Sequence, residues 1–295
     1  MKASLMAIVC SVALVACANA KPSTPAIWKA CDSDNCLYLL GSFHALKPSD
    51  YPLSQAVQEA YSDAELLAFE VAPEQLQSTD LARQMQQAGL LPASEDLQQH
   101  LPDKTWQLLL QWMQRNPKYS VEAVQRLKPW YIGLIISNSQ SQSQGFKPEQ
   151  GIDQHFMGQA QASSIKKPSI GLEQAQQQIG LFDGMSMKTQ VELLQESLQP
   201  AVTQKDELNQ LHELWKVGDV PGMEKIVVHK MQREYPELYK RINVERNNAW
   251  LPKLQNLLDK NSEQDVLVVV GALHLIGPDG LVRKLQAKGY KLERL

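Results

Sequence analysis

The 295-residue sequence is short of net charge, cysteine and long apolar runs, and each shortage excludes something. The formal net charge is −3 and there is no basic stripe, which disfavours nucleic acid as a partner. Only four cysteines occur, two of them within the first twenty residues, so no further cysteine is available to complete a metal site with Cys31 and Cys36. Beyond its first twenty residues the chain contains no candidate membrane span. Hydrophobic residues make up 43% of the sequence, enough for one sizeable core or two modest ones.

Several motifs that carry chemistry are absent as well. The sequence contains no P-loop, no Gly-x-Gly-x-x-Gly, no His-Glu-x-x-His and no Gly-x-Ser-x-Gly. Nucleotide binding and serine-hydrolase chemistry are therefore disfavoured. No internal repeat of solenoid length is present either.

The first twenty residues have the pattern of a signal peptide. Met1-Lys2 is a short positive start, and the apolar run Ala3–Ala18 that follows is too short to span a bilayer. Two processing signals overlap. Leu14–Cys17 matches a lipobox, which would make an acylated Cys17 the new N-terminus, and Ala18–Ala20 matches ordinary cleavage before Lys21. The sequence predicts export to the periplasm or cell envelope, with membrane contact only through a lipid on Cys17.

Cys31 and Cys36 are the two cysteines outside this leader, and they bracket a polar turn. Apolar runs at residues 26–28 and 37–40 flank the turn, which is typical of a β-hairpin. Facing positions near such a turn can bring two sulfurs within bonding range, and an exported protein meets an oxidising environment. The sequence therefore predicts a Cys31–Cys36 disulfide. The alternative is a contribution to a metal site, which no further cysteine is available to complete.

The order of extended and helical patterns predicts an α/β (α+β) fold. Apolar strands are predicted at residues 37–40, 64–71 and 266–270, and a large helical insertion runs from about 73 to 260. The run Val266–Val270 is almost entirely β-branched, which suits a strand covered on both faces. We expect a small central mixed sheet, built by the N- and C-terminal segments of a single domain over residues 21–295. A short further strand is predicted at residues 167–172.

Two features of the insertion carry weaker expectations. The Ser/Gln-rich stretch Ser137–Gln144 lacks an apolar period and is predicted to be a loop. His100, His212 and His229 lie in helical segments with polar flanks, and we expect them to face solvent. His155 is a weak ligand candidate.

Two predicted strand ends carry the same short pattern. One strand runs into Gly41-Ser42-Phe43-His44, and the other runs into Gly271-Ala272-Leu273-His274. A glycine at a strand exit allows a sharp turn. The histidine would then lie at the carboxyl edge of the sheet, where open α/β folds bind ligands. Glu70 lies near the end of a third apolar strand, where a carboxylate is costly to bury unless it is paired or metal-bound.

His44, Glu70 and His274 could together form an open three-ligand site for a divalent metal ion. Such a site leaves a coordination position for water, whose pKa the metal lowers until a nucleophile exists near neutral pH. Ligands of this kind suit Zn²⁺, Mn²⁺, Co²⁺ or Fe²⁺ comparably. A plainer interpretation stays open: a histidine after a strand is more often a capping or core residue, and Glu70 alone is more often a salt-bridge partner.

The chain resembles the TraB/GumN family, whose animal relatives are the TIKI metalloproteases. The resemblance covers about residues 27–295. It rests on short matches in a fitting order and spacing: Trp28, Leu37–His44, Glu70, Gly151-Ile152-Asp153, Gly171-Leu172-Glu173 with Gln176 or Gln177, Arg246-Asn247, Gly271–His274, Gly277 and Gly280-Leu281.

The resemblance implies a metal-dependent hydrolase-like fold, related also to erythromycin-esterase-like proteins and to ChaN-like haem-uptake proteins. It implies that His44, Glu70 and His274 form a metal-centred core. Glu173 would be an added carboxylate that acts as general base or supports the metal ligands.

The same resemblance implies roles for three further polar residues. Asp153 would hold an imidazole in place. Arg246 and Asn247 would polarise a substrate carbonyl or stabilise an oxyanion.

Three functions are compatible with the sequence. The first is an exported, peptidase-like metal-dependent hydrolase that acts on a peptide or small-molecule substrate. The second is a non-enzymatic envelope protein of the TraB type that binds or sequesters a peptide. The third is a structural envelope lipoprotein with ordinary core histidines. The sequence favours the enzyme, because a strand edge rich in histidine and carboxylate is a costly way to build a passive groove.

Overall fold

The computed structural model describes residues 23–76, 78–163, 166–203, 206–259 and 263–295. The predicted leader, with Cys17 and both cleavage signals, lies outside these ranges. The strands of the described chain are β1 (Ile27–Cys31), β2 (Cys36–Ser42), β3 (Leu66–Val71), β4 (Ser169–Glu173), β5 (Val266–Gly271) and β6 (Leu292–Arg294). They form one sheet in the order β4-β3-β5-β2-β1-β6.

Strand direction divides this sheet into two parts. Neighbours are parallel from β2 through β5 and β3 to β4, whereas β1 is antiparallel to both β2 and β6. β3 and β5 are buried along their whole length, as their apolar sequences require. The predicted α+β fold with a central mixed sheet is confirmed. β4 comes from within the helical insertion, so the middle of the chain also contributes to the sheet.

Helices make up most of the rest of the described chain. In chain order they are α1 (Gln55–Asp63), α2 (Pro73–Leu76), α3 (Thr79–Ala88), α4 (Leu97–His100), α5 (Asp103–Arg115), α6 (Val121–Val124), α7 (Pro129–Ser143), α8 (Ile152–Ala162), α9 (Ala175–Asp183), α10 (Met187–Thr203), α11 (Glu207–Lys216), α12 (Val220–Met223), α13 (His229–Glu234), α14 (Pro236–Tyr239), α15 (Arg246–Asp259), α16 (Ala272–Leu275) and α17 (Leu281–Ala287). Short 3₁₀ segments occur at Pro48–Asp50 and Pro148–Gln150, and π-helical segments at Glu224–Val228 and Lys240–Glu245. Within the described ranges, no helix combines the length and the apolarity that a membrane crossing needs.

The β1–β2 hairpin brings two cysteines together. Cys31 and Cys36 are paired in the register, and their sulfurs are bonded. The carboxylate of Asp32 accepts hydrogen bonds at 3.1 Å from the backbone N–H groups of Asn35 and Asp34, which lower the pKa of this carboxyl group. The predicted Cys31–Cys36 disulfide is confirmed.

The buried apolar side chains form two clusters. The larger one surrounds the sheet and includes Trp215 and Trp250. The second lies among the helices of the insertion, where α7 packs against α10 and α5 packs against α10, and it includes Leu109 and Leu194. The helices of the insertion that lie beside the sheet edge are therefore held together by a hydrophobic cluster of their own.

The stretch Ser137–Gln144 was wrongly predicted to be a loop, since α7 continues to Ser143. The first half of α7 is anchored by buried apolar residues, Ile132 and Ile136 among them. Once a helix is nucleated, serine and glutamine extend it at small cost. Ser137 also donates a hydrogen bond to the Ser197 hydroxyl on α10, at 3.0 Å. Packing of the first half therefore decides the conformation of the polar second half.

His212 was wrongly predicted to face solvent. Its side chain is only 2% exposed, and Nε2 lies 2.9 Å from Oδ2 of the buried Asp50. The rings of Phe43 and Phe146 approach the imidazole edge-to-face. The neighbours of His212 in sequence are polar, as on a solvent-facing helix, and they carry no signal of the carboxylate that reaches the imidazole from residue 50.

Candidate functional site

The carboxyl ends of the parallel strands bring the predicted site residues together. Glu70 is the penultimate residue of β3, and Glu173 is the last residue of β4. His44 follows β2 by two residues, and His274 lies in α16 directly after β5. Because these strands run in the same direction, all four side chains come to one edge of the sheet.

Both imidazoles point to one oxygen of Glu70. His44 Nε2 lies 3.9 Å from Glu70 Oε1, and His274 Nε2 lies 3.8 Å from the same atom. That oxygen also accepts a hydrogen bond from the backbone N–H of Gly271, at 2.8 Å. The three residues predicted to be metal ligands are therefore neighbours around Glu70 Oε1.

The other nitrogen of each imidazole is held by an acceptor. His44 Nδ1 lies 2.8 Å from Asp153 Oδ2, an oxygen that also accepts a hydrogen bond from the Ser42 hydroxyl. His274 Nδ1 lies 2.8 Å from Asn247 Oδ1. We assign a proton to each Nδ1, because a carboxylate or amide oxygen can only accept. Nε2 is then the nitrogen that faces Glu70, which is the orientation that supporting groups give to metal-binding histidines.

The two histidines differ in their affinity for a proton. The charge of Asp153 is the main cause that raises the pKa of His44 to about 9, although its exposed side chain lets water weaken this attraction. Burial lowers the pKa of His274 to about 3. At neutral pH the cation-free site therefore holds a protonated His44 and a neutral His274. His44 must lose its Nε2 proton before that nitrogen can bind a metal ion.

Arg246 lies on the far side of Glu70 and contacts both buried carboxylates. Its Nη2 is 2.5 Å from Glu70 Oε2 and 2.6 Å from Glu173 Oε1, while Nε is 3.1 Å from both oxygens of Glu173. Nη1 donates to His274 Nε2 at 2.9 Å. Burial alone would raise the pKa of the Glu70 carboxyl group, but the positive charge of Arg246, with that of His44 beside it, holds this pKa well below its usual range. The centre therefore places two buried carboxyl groups around one guanidinium.

One face of the helical segment around Arg246 supports His274. Asn247 is fully buried, and its Nδ2 donates to Asn243 Oδ1, to the His274 carbonyl and to the Asp279 carbonyl. The ring of Trp250 packs on the His274 imidazole at 4.5 Å and lies 4.6 Å from the Arg246 guanidinium carbon. Asn247 thus lies behind His274 and orients it. Because Asn247 has no exposed atom, it cannot make the contact with a substrate that was predicted for it.

Gly271 keeps space open among the three predicted ligands. A Cβ at this position would lie 3.1 Å from His44 Nε2 and 3.3 Å from Glu70 Oε1. Its φ of −48° is accessible to any residue, so the glycine is needed for room and not for a left-handed turn. Gly41 similarly has Ala272 Cβ only 3.1 Å from where its own Cβ would be. Both glycines are therefore needed because other residues approach them closely, and not for the sharp turns that the sequence suggested.

These residues fit a divalent cation in kind and orientation. Two imidazole nitrogens and a carboxylate oxygen are suitable ligands, and Gly271 leaves room between them. Tetrahedral ligands of such a metal lie about 3.4 Å apart, so the observed separations are a few tenths of an ångström too long. In the described chain no group of three or more His, Cys, Asp or Glu side chains has the arrangement of a metal site. The ligand set therefore stays a prediction, and binding would require His274 Nε2 to release Arg246.

Comparison with models of known protein families gives a match that covers nearly the whole chain. Residues 26–294 match the TraB/PrgY/gumN family. The chain belongs to this family. The resemblance seen in the sequence is thereby confirmed. Neither the curated proteins nor the solved structures that were compared with the chain gave a match.

In this TraB/PrgY/gumN protein a large groove opens directly onto the candidate centre. Its volume is about 730 Å³, and His44, Glu70, Arg246 and His274 are among the residues that line it. Its other walls are formed by α7, α9, α10, α11, α12, α13 and the π-helical segment Lys240–Glu245 of the helical insertion. A second cavity of about 280 Å³ reaches His44 and Glu70 from the side of Asp153. A molecule bound in either space would touch the candidate centre.

Two side chains at the site were missed by the sequence analysis. Gln178 donates to Glu70 Oε2 at 3.3 Å, whereas the sequence pointed to Gln176 or Gln177. Trp250 could have been found, since it follows Arg246 by four residues and so shares its helical face. No signal distinguished Gln178, because the start of α9, and hence the face that each glutamine occupies, was not known.

Proposed function

We propose that this protein is an exported metal-dependent hydrolase of the peptidase type, centred on His44, Glu70 and His274. The observation that carries the proposal is the approach of both Nε2 atoms to Glu70 Oε1, at 3.9 and 3.8 Å, beside a groove of about 730 Å³. A divalent cation at this place would lower the pKa of a water molecule enough to supply a nucleophile near neutral pH.

The surrounding residues prepare this centre. Asp153 and Asn247 fix the direction in which each Nε2 points. Arg246 keeps Glu70 ionised and lies beside His274, where its guanidinium is placed to stabilise negative charge on a substrate oxygen. Glu173 holds Arg246 with both carboxylate oxygens and lines neither cavity, so we assign it this positioning task.

We place the activity in the periplasm or cell envelope. The leader-like first twenty residues support export, and the Cys31–Cys36 disulfide is of the kind that persists in oxidising compartments. Acylation of Cys17 would add a membrane anchor, and cleavage before Lys21 would leave the protein free. Mass spectrometry of the mature N-terminus distinguishes the two outcomes.

The test compares histidine variants of the purified mature protein. Each variant is measured for bound metal by elemental analysis, and for peptide hydrolysis with and without added Zn²⁺, Mn²⁺, Co²⁺ or Fe²⁺. His44→Ala and His274→Ala should lose bound metal and hydrolysis together. His229→Ala is the matched control, because His229 is exposed and lies outside both cavities. Undiminished hydrolysis in both site variants would overturn the proposal.

One observation favours a second function, non-enzymatic peptide binding. Arg246 already contacts both Glu70 and Glu173, so these carboxylates have a cationic partner without a metal ion, and the centre could serve as a polar floor for a bound ligand. A labelled peptide library distinguishes the two functions. Peptides recovered intact from the protein, with and without metal, support sequestration, and peptides returned cleaved support the hydrolase.

A further inference from the structure

Gln178 occupies the point where the two cavities meet. Together with His44 and Glu70 it belongs to the lining of both the groove and the smaller cavity. It lies on α9, whose Leu181 and Phe182, three and four residues on, continue along the wall of the groove. Gln178 is thus within reach of a molecule bound in either cavity.

The amide of Gln178 has hydrogen-bonding capacity to spare. One N–H donates at 3.3 Å to Glu70 Oε2, which Arg246 Nη2 already approaches at 2.5 Å. A glutamine amide has two donor hydrogens and an acceptor oxygen. Within the described residues, the second N–H and the oxygen have no partner. Gln178 can therefore donate to a carbonyl oxygen placed beside Glu70 without losing a structural bond.

The walls of the groove suit a peptide better than a hydrocarbon chain. Much of the wall is apolar, as at Leu208 and Ile242, but α7 contributes Ser137, Gln140 and Ser141 on one helical face. In the described chain the side chains of Gln140 and Ser141 have no hydrogen-bond partner. A peptide backbone offers them donors and acceptors, whereas an acyl chain would leave them unpaired.

Away from the centre, the groove also disfavours anionic ligands. Among the described residues that line it, Arg246 is the only lysine or arginine, and two carboxylates already bind it. Glu196 and Glu207 add further negative charge, which Lys230 offsets only in part. An uncharged, apolar peptide segment fits this lining best.

We propose that the substrate is an extended peptide with apolar residues that crosses the centre from the groove to the smaller cavity, with Gln178 donating to the carbonyl of the bond that is cut. This inference rests on the proposed hydrolase function and adds the mode of binding. Because open space lies on both sides of Glu70, cleavage falls inside the chain and needs neither terminus. Water adds across one amide bond and releases a carboxylate and an amine.

The mode of cleavage is tested with internally quenched peptides that carry a central run of Leu and Val. Acetylation of the N-terminus and amidation of the C-terminus should change kcat/KM by less than twofold, and mass spectrometry should show two multi-residue fragments. Replacing the apolar run with Asp should abolish cleavage. Release of single terminal residues that terminal blocking prevents would overturn the inference.

The role of Gln178 is tested by Gln178→Met, which keeps the length of the side chain and removes the amide. We expect kcat to fall about 100-fold with KM nearly unchanged, as when one oxyanion donor is lost. Gln176→Met on the same helix is the control, because Gln176 is exposed and lines neither cavity. Equal kcat in Gln178→Met and Gln176→Met would overturn this role, as would a loss confined to KM.

Binding separates failure of this inference from failure of the proposed function. Leu208→Trp would fill the groove and Gln154→Trp the smaller cavity, and each should weaken binding of a fluorescent apolar peptide at least 10-fold. Gln210→Trp, an exposed position on α11, should leave binding unchanged. If both variants weaken binding but no peptide is ever cut, the path stands and the hydrolase fails. If peptides are cut and neither variant matters, the path fails and the hydrolase stands.

Discussion

Arg246 Nη1 lies 2.9 Å from His274 Nε2, on the nitrogen that a metal ion would need. The guanidinium therefore competes for one of the proposed ligands while it holds the two carboxylates in place. A divalent cation would place further positive charge beside Arg246, and this repulsion costs energy. The cost is smaller if the guanidinium stays bound to Glu173 and releases His274. Arg246 thus stabilises the cation-free centre and also competes with a metal ion for it.

Removing Arg246 should expose the cost of burying its partners. In Arg246→Ala, Glu70 and Glu173 remain buried with no guanidinium, and we expect the free energy of unfolding to fall by about 3–5 kcal/mol. Arg246→Lys should recover part of this loss, since an ammonium group lacks the planar fork that reaches both carboxylates. Urea denaturation in a chelating buffer gives these values.

The same variant tests the competition for His274. Added Zn²⁺ should stabilise Arg246→Ala more than the wild-type protein, because the cation replaces the lost charge and finds His274 Nε2 free. The comparison is made by repeating the denaturation at several metal concentrations. Equal stabilisation of both proteins would show that Arg246 does not oppose the metal.

Gly271→Ala should block the metal without removing a ligand. The added Cβ would sit 3.1 Å from His44 Nε2 and 3.3 Å from Glu70 Oε1, so the ligands must move apart to make room. We expect metal affinity to fall at least about 10-fold, as when groups that support metal ligands are disturbed, and hydrolysis to fall with it. Isothermal titration calorimetry with Zn²⁺ measures the affinity.

The control for this substitution is Gly158→Ala in α8. A Cβ there would meet nothing within 4 Å, and alanine favours a helix over glycine by up to about 1 kcal/mol. Metal binding should therefore be unchanged and thermal stability equal or slightly higher. Unaltered metal affinity in Gly271→Ala would remove the centre from the edge of β5.

The sequence predicted the sheet edge well because the signals there are local. The apolar strands around Glu70, and the two Gly-x-x-His patterns that end at His44 and His274, are continuous stretches whose strand ends can be read directly. Once the strands are parallel, their carboxyl ends must meet at one edge. The convergence of these three side chains follows from strand order and direction without knowledge of any helix.

What the sequence could not predict depends on contacts between distant segments. Nothing near Arg246 indicates that its guanidinium would lie between Glu70 and Glu173, since that placement depends on how α15 crosses the sheet edge. The polar end of α7 is helical because buried residues one and two turns earlier hold the helix against α10. In each case tertiary packing overrides a local pattern.

In the cation-free protein, the charge of His44 and the stability that it contributes should depend on pH. With its pKa raised to about 9 by Asp153, His44 contributes stability that is fully present below about pH 6.5 and is lost as the pH rises through 9. In Asp153→Asn the carboxylate charge is gone, so the pKa of His44 should fall towards its ordinary value. NMR titration of the imidazole signals in chelating buffer measures the pKa of His44 in the wild-type protein and in Asp153→Asn, with the exposed His229 as the internal reference. A midpoint for His44 that is the same in both proteins would contradict the assigned pairing.

The buried pair of His212 and Asp50 should contribute much more to stability than an exposed pair of the same kind. In His212→Leu, Asp50 stays buried at 1% exposure but loses the imidazole that lies 2.9 Å from its carboxylate. We expect the free energy of unfolding to fall by roughly 1–3 kcal/mol. The matched control is His100→Leu, because His100 Nε2 also lies 2.8 Å from a carboxylate, that of Glu95, but in a more exposed position.

For His100→Leu the expected change is within about 0.5 kcal/mol, the range typical of surface positions. In His212→Leu the Asp50 carboxylate keeps only the ammonium group of Lys216, 3.5 Å from its Oδ1, as a cationic partner. The double variant Asp50→Asn/His212→Leu should be more stable than His212→Leu alone, because it removes this poorly compensated buried charge. Urea denaturation of the four proteins, wild type included, supplies the comparison. If His212→Leu and His100→Leu cost the same, burial of the carboxylate is not what makes the His212 contact matter.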